Sequence, residues 1–256
     1  MPKARLFNQL RVTRIQQYPS AAAGSVIITQ GKTRVLCTAS ISERVPDFLV
    51  DRSTGAASQG WVTAEYSMLP GSTPSRKKRG PDSRGTEIQR LIGRSLRAAV
   101  DLERMPGLTI TCDCDVIVAD GGTRTASITG AFVSLGMAIA NARSRRLIRN
   151  QPIKGPVAAI SVGIVAGKPH LDLDYDLDVQ ADVDMNVAMN HRGEYVEVQG
   201  TAEAGTFARG QLDELLDLAA TGIRRLIRLQ RAALRSAGAS LRGPSPRRKG
   251  REGARL

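Results

Sequence analysis

The sequence is poor in the residues that build metal clusters and nucleophilic triads. Its 256 residues include three cysteines and two histidines. The cysteines, Cys37, Cys112 and Cys114, are odd in number, and the last two alternate within a strand-like run. That predicts thiols packed reduced on one face of a strand rather than a disulfide framework. His170 and His191 are too few to close a Cys/His zinc site, and without a Gly-x-Ser-x-Gly elbow they do not suggest a serine nucleophile. The common nucleotide loops are missing too: Gly55 to Gly60 has Walker-like spacing but is followed by Trp61 where lysine belongs, and no Gly-x-Gly-x-x-Gly follows a strand. Apolar stretches such as Pro156–Val165 fall far short of the roughly 20 residues that a membrane-spanning helix needs, and Met1-Pro2-Lys3-Ala4 does not open a signal peptide. The expectation is a soluble, cytoplasmic chain that does not engage a membrane.

What is abundant is positive charge. Lysine and arginine number 37 against 24 acidic residues, a net charge of +13, and a field of that sign attracts polyanions, nucleic acid first. Residues 241–256 hold six basic residues and one acidic one; removing their +5 leaves +8 on the body, so the tail does not account for the excess. Rich in Gly, Pro and charge and without apolar periodicity, that tail predicts a disordered basic extension behind one folded unit spanning 1–240. A second irregular stretch, Gly71–Arg84, sets Arg76, Lys77, Lys78 and Arg79 among prolines and serines and predicts an exposed cationic loop.

Alternating apolar positions predict strands over Gly24–Gln30, Thr33–Ile41 and Trp61–Leu69, read together as a β-meander. A capping-box pattern at Thr86-Glu87-Ile88-Gln89, followed by Ile88, Leu91, Ile92, Leu96, Ala99 and Val100 at helical spacing, predicts a helix over 87–104. Leu108 to Val118 alternates as a strand, Asp120-Gly121-Gly122 breaks the chain, and a Gly/Ala-rich helix runs to about Ala142. Further strands are expected near Val157–Val165, Leu171–Leu177, Met185–Met189 and Tyr195–Gln199, then an amphipathic helix over Arg209–Ser236. Strands and helices interleave throughout, which argues for layered packing of both in one unit.

Three constellations could carry chemistry. Gly121-Gly122-Thr123-Arg124-Thr125 lies between a strand and a helix, where unpaired helix N–H groups and a guanidinium suit an anion such as phosphate; an ordinary turn with Thr125 or Ser127 as N-cap is the alternative. Arg84 stands at a helix start with Arg90, Arg94 and Arg97 along the polar side, either a cationic edge for phosphates or a solvated face. Asp172, Asp174, Asp176, Asp178, Asp182 and Asp184 crowd into thirteen residues without a basic residue among them. Such carboxylates, read as sharing a strand face, call either for a hard cation, magnesium or manganese, or for salt bridges to the protein's own arginines. An EF-hand is excluded by Leu177 and Val183 at its glycine and glutamate positions.

From about Asn8 to about Ala237 the chain resembles the RNase PH family of phosphate-dependent tRNA nucleotidyltransferases. The resemblance rests on Gly24-Ser25-Val26, Val35-Leu36-Cys37-Thr38-Ala39-Ser40, Gly60-Trp61-Val62-Thr63-Ala64-Glu65-Tyr66, Glu87-Ile88-Gln89-Arg90-Leu91-Ile92, Asp120-Gly121-Gly122-Thr123-Arg124-Thr125-Ala126-Ser127-Ile128, Asp184-Met185-Asn186-Val187 and Val198-Gln199-Gly200-Thr201-Ala202-Glu203, in family order. It implies an α+β fold of the ribosomal-protein-related βαβα type with mixed sheets, and a homohexamer built as a trimer of dimers. It implies a phosphate held by Arg84, Gly122, Thr123 and Arg124, catalytic and metal-associated Asp178 and Asp184, and magnesium as the usual ion. Phosphate would attack the 3′-terminal phosphodiester of RNA, tRNA precursors above all, and release nucleoside 5′-diphosphates reversibly. Arg76, Lys77, Lys78, Arg79, Arg90 and Arg94 would contact the RNA backbone. The 71–84 loop is short and unusually basic beside the family's variable loop, and the tail from Leu241 has no counterpart in the family's core pattern. A non-catalytic ring subunit and a basic RNA-binding protein without catalysis are the rival readings.

Overall fold

The computed structural model describes residues 5–80, 82–203, 205–239 and 241; the predicted basic extension, apart from Leu241, lies outside the described residues. Two sheets and four helices make an α+β fold. The first sheet contains β1 (Thr13–Gln17), β2 (Gly24–Gln30), β3 (Thr33–Ser42), β4 (Trp61–Met68) and β5 (Thr109–Val118), ordered β1-β2-β3-β5-β4. The second contains β6 (Val157–Val165), β7 (Lys168–Leu171), β8 (Ala181–Asn190) and β9 (Tyr195–Ala202), ordered β7-β6-β8-β9. The helices are α1 (Ser83–Ala98), α2 (Thr123–Ser144), α3 (Tyr175–Val179) and α4 (Arg209–Ser236).

The expected meander holds for only part of its length. β2 and β3 form a hairpin across Gly31-Lys32, with Gly31 at φ 61° supplying the left-handed bend. β4, however, does not follow β3 in space: β5 separates them and pairs with β4 in parallel, so the first sheet is mixed, whereas the second is antiparallel throughout. β1 escapes apolar periodicity because it is a half-exposed edge strand, Thr-Arg-Ile-Gln-Gln, held by its pairing to β2 rather than by core side chains. α1 begins earlier than the capping box predicts, because Asp82 caps it and accepts from the Gly85 N–H at 2.5 Å. It also ends earlier, at Ala98; Val100 pairs with Ile153 instead, and a short 3-10 turn at Leu102–Arg104 follows. The strand expected over Leu171–Leu177 is wrong. β7 stops at Leu171, Asp172 turns into the left-handed region at φ 61°, and Asp174 caps α3 by accepting from the Leu177 N–H at 3.1 Å. Alternating Asp and apolar residues imitated a strand, but short acidic side chains bonding their own backbone favour turns and caps.

α2 lies between the sheets, packing on β2, β3 and β5 from one side and on β6 and β8 from the other. This explains its composition: a helix apolar all round is one that is buried all round. It is the one described helix long and apolar enough to cross a membrane, and most of it is core. Gly24 opens β2 directly under α2, where a Cβ would stand 2.0 Å from the Ser134 carbonyl oxygen and 2.9 Å from the Ala138 nitrogen. Backbone cannot step aside as a side-chain tip can. Gly24→Ala is therefore expected to lose about 2–3 kcal/mol of stability, read as a lower urea midpoint at unchanged m value.

The three cysteines are free and buried, as the alternation predicts. Cys37 and Cys114 oppose each other across β3 and β5, and each Sγ lies 3.9 Å from the Ser127 carbonyl oxygen in α2. A hydrogen bond to Cys114, then burial, push the Cys37 thiol up, and burial does the same for Cys112. Cys37 and Cys112 are thus packing residues with no thiolate character.

Candidate active site

β5 delivers the chain to Asp120-Gly121-Gly122, where Gly121 and Gly122 both adopt left-handed φ values, 72° and 66°. Gly122 is the N-cap of α2 and no side chain caps it. The alternative of Thr125 or Ser127 as cap does not hold: their hydroxyls donate backwards, to the Gly122 carbonyl at 3.0 Å and the Thr123 carbonyl at 2.8 Å. A Cβ on Gly121 would meet the Leu173 oxygen at 2.6 Å, so the glycine lets the acidic segment close over the turn.

A buried ion pair sets the direction of this turn. Arg11 Nη1 donates to the Asp120 carbonyl at 2.5 Å, and Nη2 reaches the Gly121 carbonyl at 3.5 Å and Asp172 Oδ1 at 2.6 Å. Thr33 Oγ1 also donates to the Gly121 carbonyl, at 2.7 Å. In a trans peptide the C=O and the following N–H point opposite ways. Turning these carbonyls toward Arg11 and Thr33 therefore sends the Gly121 and Gly122 N–H groups outward, beside the uncapped end of α2, where the helix dipole favours an anion. Asp172 is fully buried and also accepts from Gln30 Nε2 at 2.7 Å and the Arg11 N–H at 2.8 Å. Arg11→Met strands that carboxylate without its cation, and a loss of about 3–5 kcal/mol is expected, measured by chemical denaturation.

The acidic run separates into three kinds of residue. Asp172 is structural, and Asp174 caps α3 and pairs with Arg5 at 3.4 Å, so the salt-bridge alternative applies to these two. Asp176, Asp178 and Asp182 are exposed, and Asp184 is half-buried. Asp178, in α3, and Asp184, in β8, are different. Asp184 Oδ1 is buried without a hydrogen-bond partner, and the Asp178 side chain has no hydrogen bond or ion pair among the described residues. Burial pushes the Asp184 carboxyl up to about 6, helped by the charge on Asp178 and opposed by Arg124. Asp178, open to solvent on one side, is raised by the protein packed behind it and opposed by Arg84 and Arg124.

Arg84 occupies the first turn of α1 rather than the position before it, and it is exposed with no bonded partner among the described residues. Arg124, in the first turn of α2, donates from Nη1 to Gln199 Oε1 at 2.8 Å and lies 3.6 Å from Glu87 Oε1, while Gln199 Nε2 donates to Glu87 at 2.7 Å. This triangle ties α1 and α2 to β9. Tyr66 joins the turn through a 2.9 Å hydrogen bond between its hydroxyl and Thr123 Oγ1. Burial raises its phenol against the pull of both arginines. Arg84, Gly122, Thr123, Arg124, Asp178 and Asp184 thus converge from five elements or turns.

The residues expected to contact RNA are placed less uniformly. Lys77 and Lys78 line a cleft with Tyr66, Arg84 and Gln89. Arg94 is engaged by Glu197 of β9 at 3.1 Å. Arg76, Arg79 and Arg90 are exposed, and no bond joins them to the turn. Arg97 donates to the Val62 carbonyl at 2.9 Å and stacks 4.5 Å from the Trp61 ring centre. Tyr66, Glu87, Gln199 and Glu203, whose charge reaches both aspartates, lie inside the family-like sequence blocks, but nothing in their spacing assigned them a place. Arg11 and Asp172 were missed as a pair because 161 residues separate them.

Among the described residues no three acidic, histidine or cysteine side chains group tightly enough to enclose a metal. Two unpartnered carboxylates with an orphaned buried oxygen nevertheless fit magnesium, which keeps several waters and is held by one or two carboxylates plus substrate phosphate.

A model described as 3′ exoribonuclease family, domain 1, matches residues 9–140, and one described as domain 2 of that family matches 155–222. Similar solved structures include the Archaeoglobus fulgidus exosome with RNA bound to the active site, at TM-score 0.72 and 21% identity over 87% of this chain and 89% of that one. An archaeal exosome core matches at 0.70 and 20% identity over 89% of each chain. Rice (Oryza sativa) Rrp46 matches at 0.71 and 18% identity over 90% of this chain and 98% of that one. At these identities the likeness to the solved structures is one of fold.

Proposed function

The chain belongs to the RNase PH family of 3′ exoribonucleases, and from that premise we propose that it is a 3′-to-5′ phosphorolytic exoribonuclease acting on RNA, tRNA precursors above all. The observation that carries this reading is the convergence of two unpartnered carboxylates with two guanidinium groups at an uncapped helix N-terminus.

Phosphoryl transfer needs positioning and charge stabilisation more than covalent chemistry. The outward N–H groups of the Gly121-Gly122 turn, Thr123, Arg84 and Arg124 bind inorganic phosphate. Arg84 and Arg124 orient one of its oxygens toward the phosphorus of the 3′-terminal phosphodiester. The new P–O bond forms as the bond to the upstream O3′ breaks, releasing a nucleoside 5′-diphosphate and an RNA shortened by one nucleotide. Asp178 and Asp184 would hold a magnesium ion, or manganese in its place, supplying Lewis-acid stabilisation of the charge that develops on the leaving oxygen. The diphosphate keeps a phosphoanhydride, so the reaction runs backwards when diphosphates are abundant. Lys77 and Lys78, bordering the same cleft, would hold the incoming backbone.

The assembly proposed is a homohexamer, a trimer of dimers, in the cytoplasm; the similar archaeal structures are themselves exosome cores. The chemistry is tested by incubating the protein with a 3′-extended tRNA and magnesium, with and without phosphate. Phosphate-dependent nucleoside diphosphates are expected. Monophosphates formed without phosphate would mean a hydrolase, and binding without release would mean a non-catalytic ring subunit.

A further inference from the structure

The charge on α4 is sorted along its length. Its acidic residues, Asp213, Glu214 and Asp217, all fall in the first nine positions, and no acidic residue occurs from Leu218 to Leu241. The second half carries five arginines, of which Arg224, Arg228, Arg231 and Arg235 recur at steps of four, three and four. At 3.6 residues per turn these four side chains fall within an arc of about 60° and span about 16 Å of axis. All four are exposed, while the apolar residues of the helix, Leu226, Ile227 and Leu234 among them, are buried on the core side. A hydrogen bond from Arg224 to Thr221 at 3.0 Å is the one bonded contact of the four among the described residues.

Neighbouring like charges cost a helix a few tenths of a kcal/mol each. The helix dipole rewards cations only in the last turn, which accounts for Arg235 but not for Arg224 or Arg228. The row also leads into a large open cleft at the end of α4, lined by Lys154, His191, Arg231 and Arg235 without a carboxylate among its described residues. There His191 packs against Gly155, whose Cβ would meet the ring at 2.1 Å. Burial and the charges of Arg192 and Arg231 pull its imidazole down, leaving a neutral ring that can both donate and accept. The chain then continues into residues 242–256, which are basic in sequence.

We propose that this row and its cleft form an accessory binding track for the phosphodiester backbone of RNA, engaging the body of the substrate at a distance from the reacting 3′ end. The inference rests on the reading of RNA as substrate. Leu234 of the cleft packs on Gly136 in α2. Thirteen residues of helix separate Gly136 from Thr123 at the phosphate turn, about 20 Å at 1.5 Å per residue. The cleft end of the track thus lies far from the nucleotide held at the phosphate turn and within the span of a tRNA with a 3′ extension.

The test is equilibrium binding by fluorescence anisotropy, without phosphate or magnesium, over a salt series, for the full chain and the combined variant Arg228→Gln, Arg231→Gln, Arg235→Gln. Unchanged thermal stability and oligomer size establish that the variant is folded. The expected result is tRNA-precursor binding weaker by at least about tenfold at low salt, with the slope of log affinity against log salt reduced by about 2–3, as three lost phosphate contacts require, and unchanged binding of a trinucleotide. Lysine at the same three positions is expected to restore the slope. An unchanged slope overturns the track, and so does an equal loss for the trinucleotide. Diphosphate release from the trinucleotide, run in parallel, reports on the catalytic reading separately: if the parent releases none, that reading fails while the binding result stands.

Discussion

Asp184→Asn is expected to slow phosphorolysis by about 10²–10³-fold, the scale seen when one preorganised charge-stabilising group is removed, while the protein stays folded and binds RNA. The same substitution should raise stability. In the folded chain the Asp184 carboxyl titrates near 6, against an ordinary 3.8. Below about pH 4 both folded and unfolded chains carry the proton and the group has no effect on stability. Between about pH 4 and 6 the unfolded chain has released a proton that the folded chain still holds. Stability therefore falls as pH rises through this window and stays lowered above it, by roughly 2–3 kcal/mol, since each tenfold change in proton affinity is worth about 1.4 kcal/mol. Asparagine cannot ionise, so in chelator the variant should melt above its parent at pH 7.5 and level with it at pH 4. Added magnesium should narrow the gap at pH 7.5 by stabilising only the parent. A variant that keeps full activity removes Asp184 from the chemistry, and melting curves that agree at both pH values remove the unpartnered charge.

Arg124→Ala is expected to raise the KM for phosphate by about 10–100-fold, as loss of a charge-assisted hydrogen bond worth about 1.5–3 kcal/mol predicts, with RNA affinity nearly unchanged. Arg124 also braces Gln199 and Glu87, so its removal mixes lost ligand with a loosened junction. Arg84 separates the two effects, because it has no bonded partner among the described residues. Arg84→Ala should raise the phosphate KM on the same scale and leave the melting temperature where it was. The measurement is the initial rate of diphosphate release against phosphate concentration at saturating RNA. If both variants show parental KM values, phosphate is not held between these two helix starts.

The elements that apolar periodicity specifies were legible in advance. β2 and β6 begin and end where alternation or an unbroken apolar run does, and α4 follows its amphipathic stripe from Arg209 to Ser236. What failed had other causes. β1 has little apolar content to reveal it, the pairing of β4 with β5 is a choice between partners distant in sequence, and the acidic run alternates for reasons of capping. Of the site, the glycine turn and the two arginines stand beside local signals, a strand-to-helix break and two helix starts. Asp178 and Asp184 could not be told from Asp172 and Asp174 by composition; what divides them is whether a guanidinium or a backbone N–H from elsewhere reaches them, which only the folded chain decides.

Because among the described residues no guanidinium and no distant backbone N–H bonds to Asp178 or Asp184, the architecture does not depend on them. A duplicated copy of such a gene can lose both aspartates at no structural penalty and still supply a well-formed building block. A path from an active copy to a purely structural one thus lies open at these two positions, whereas the buried Arg11–Asp172 pair leaves no comparable freedom.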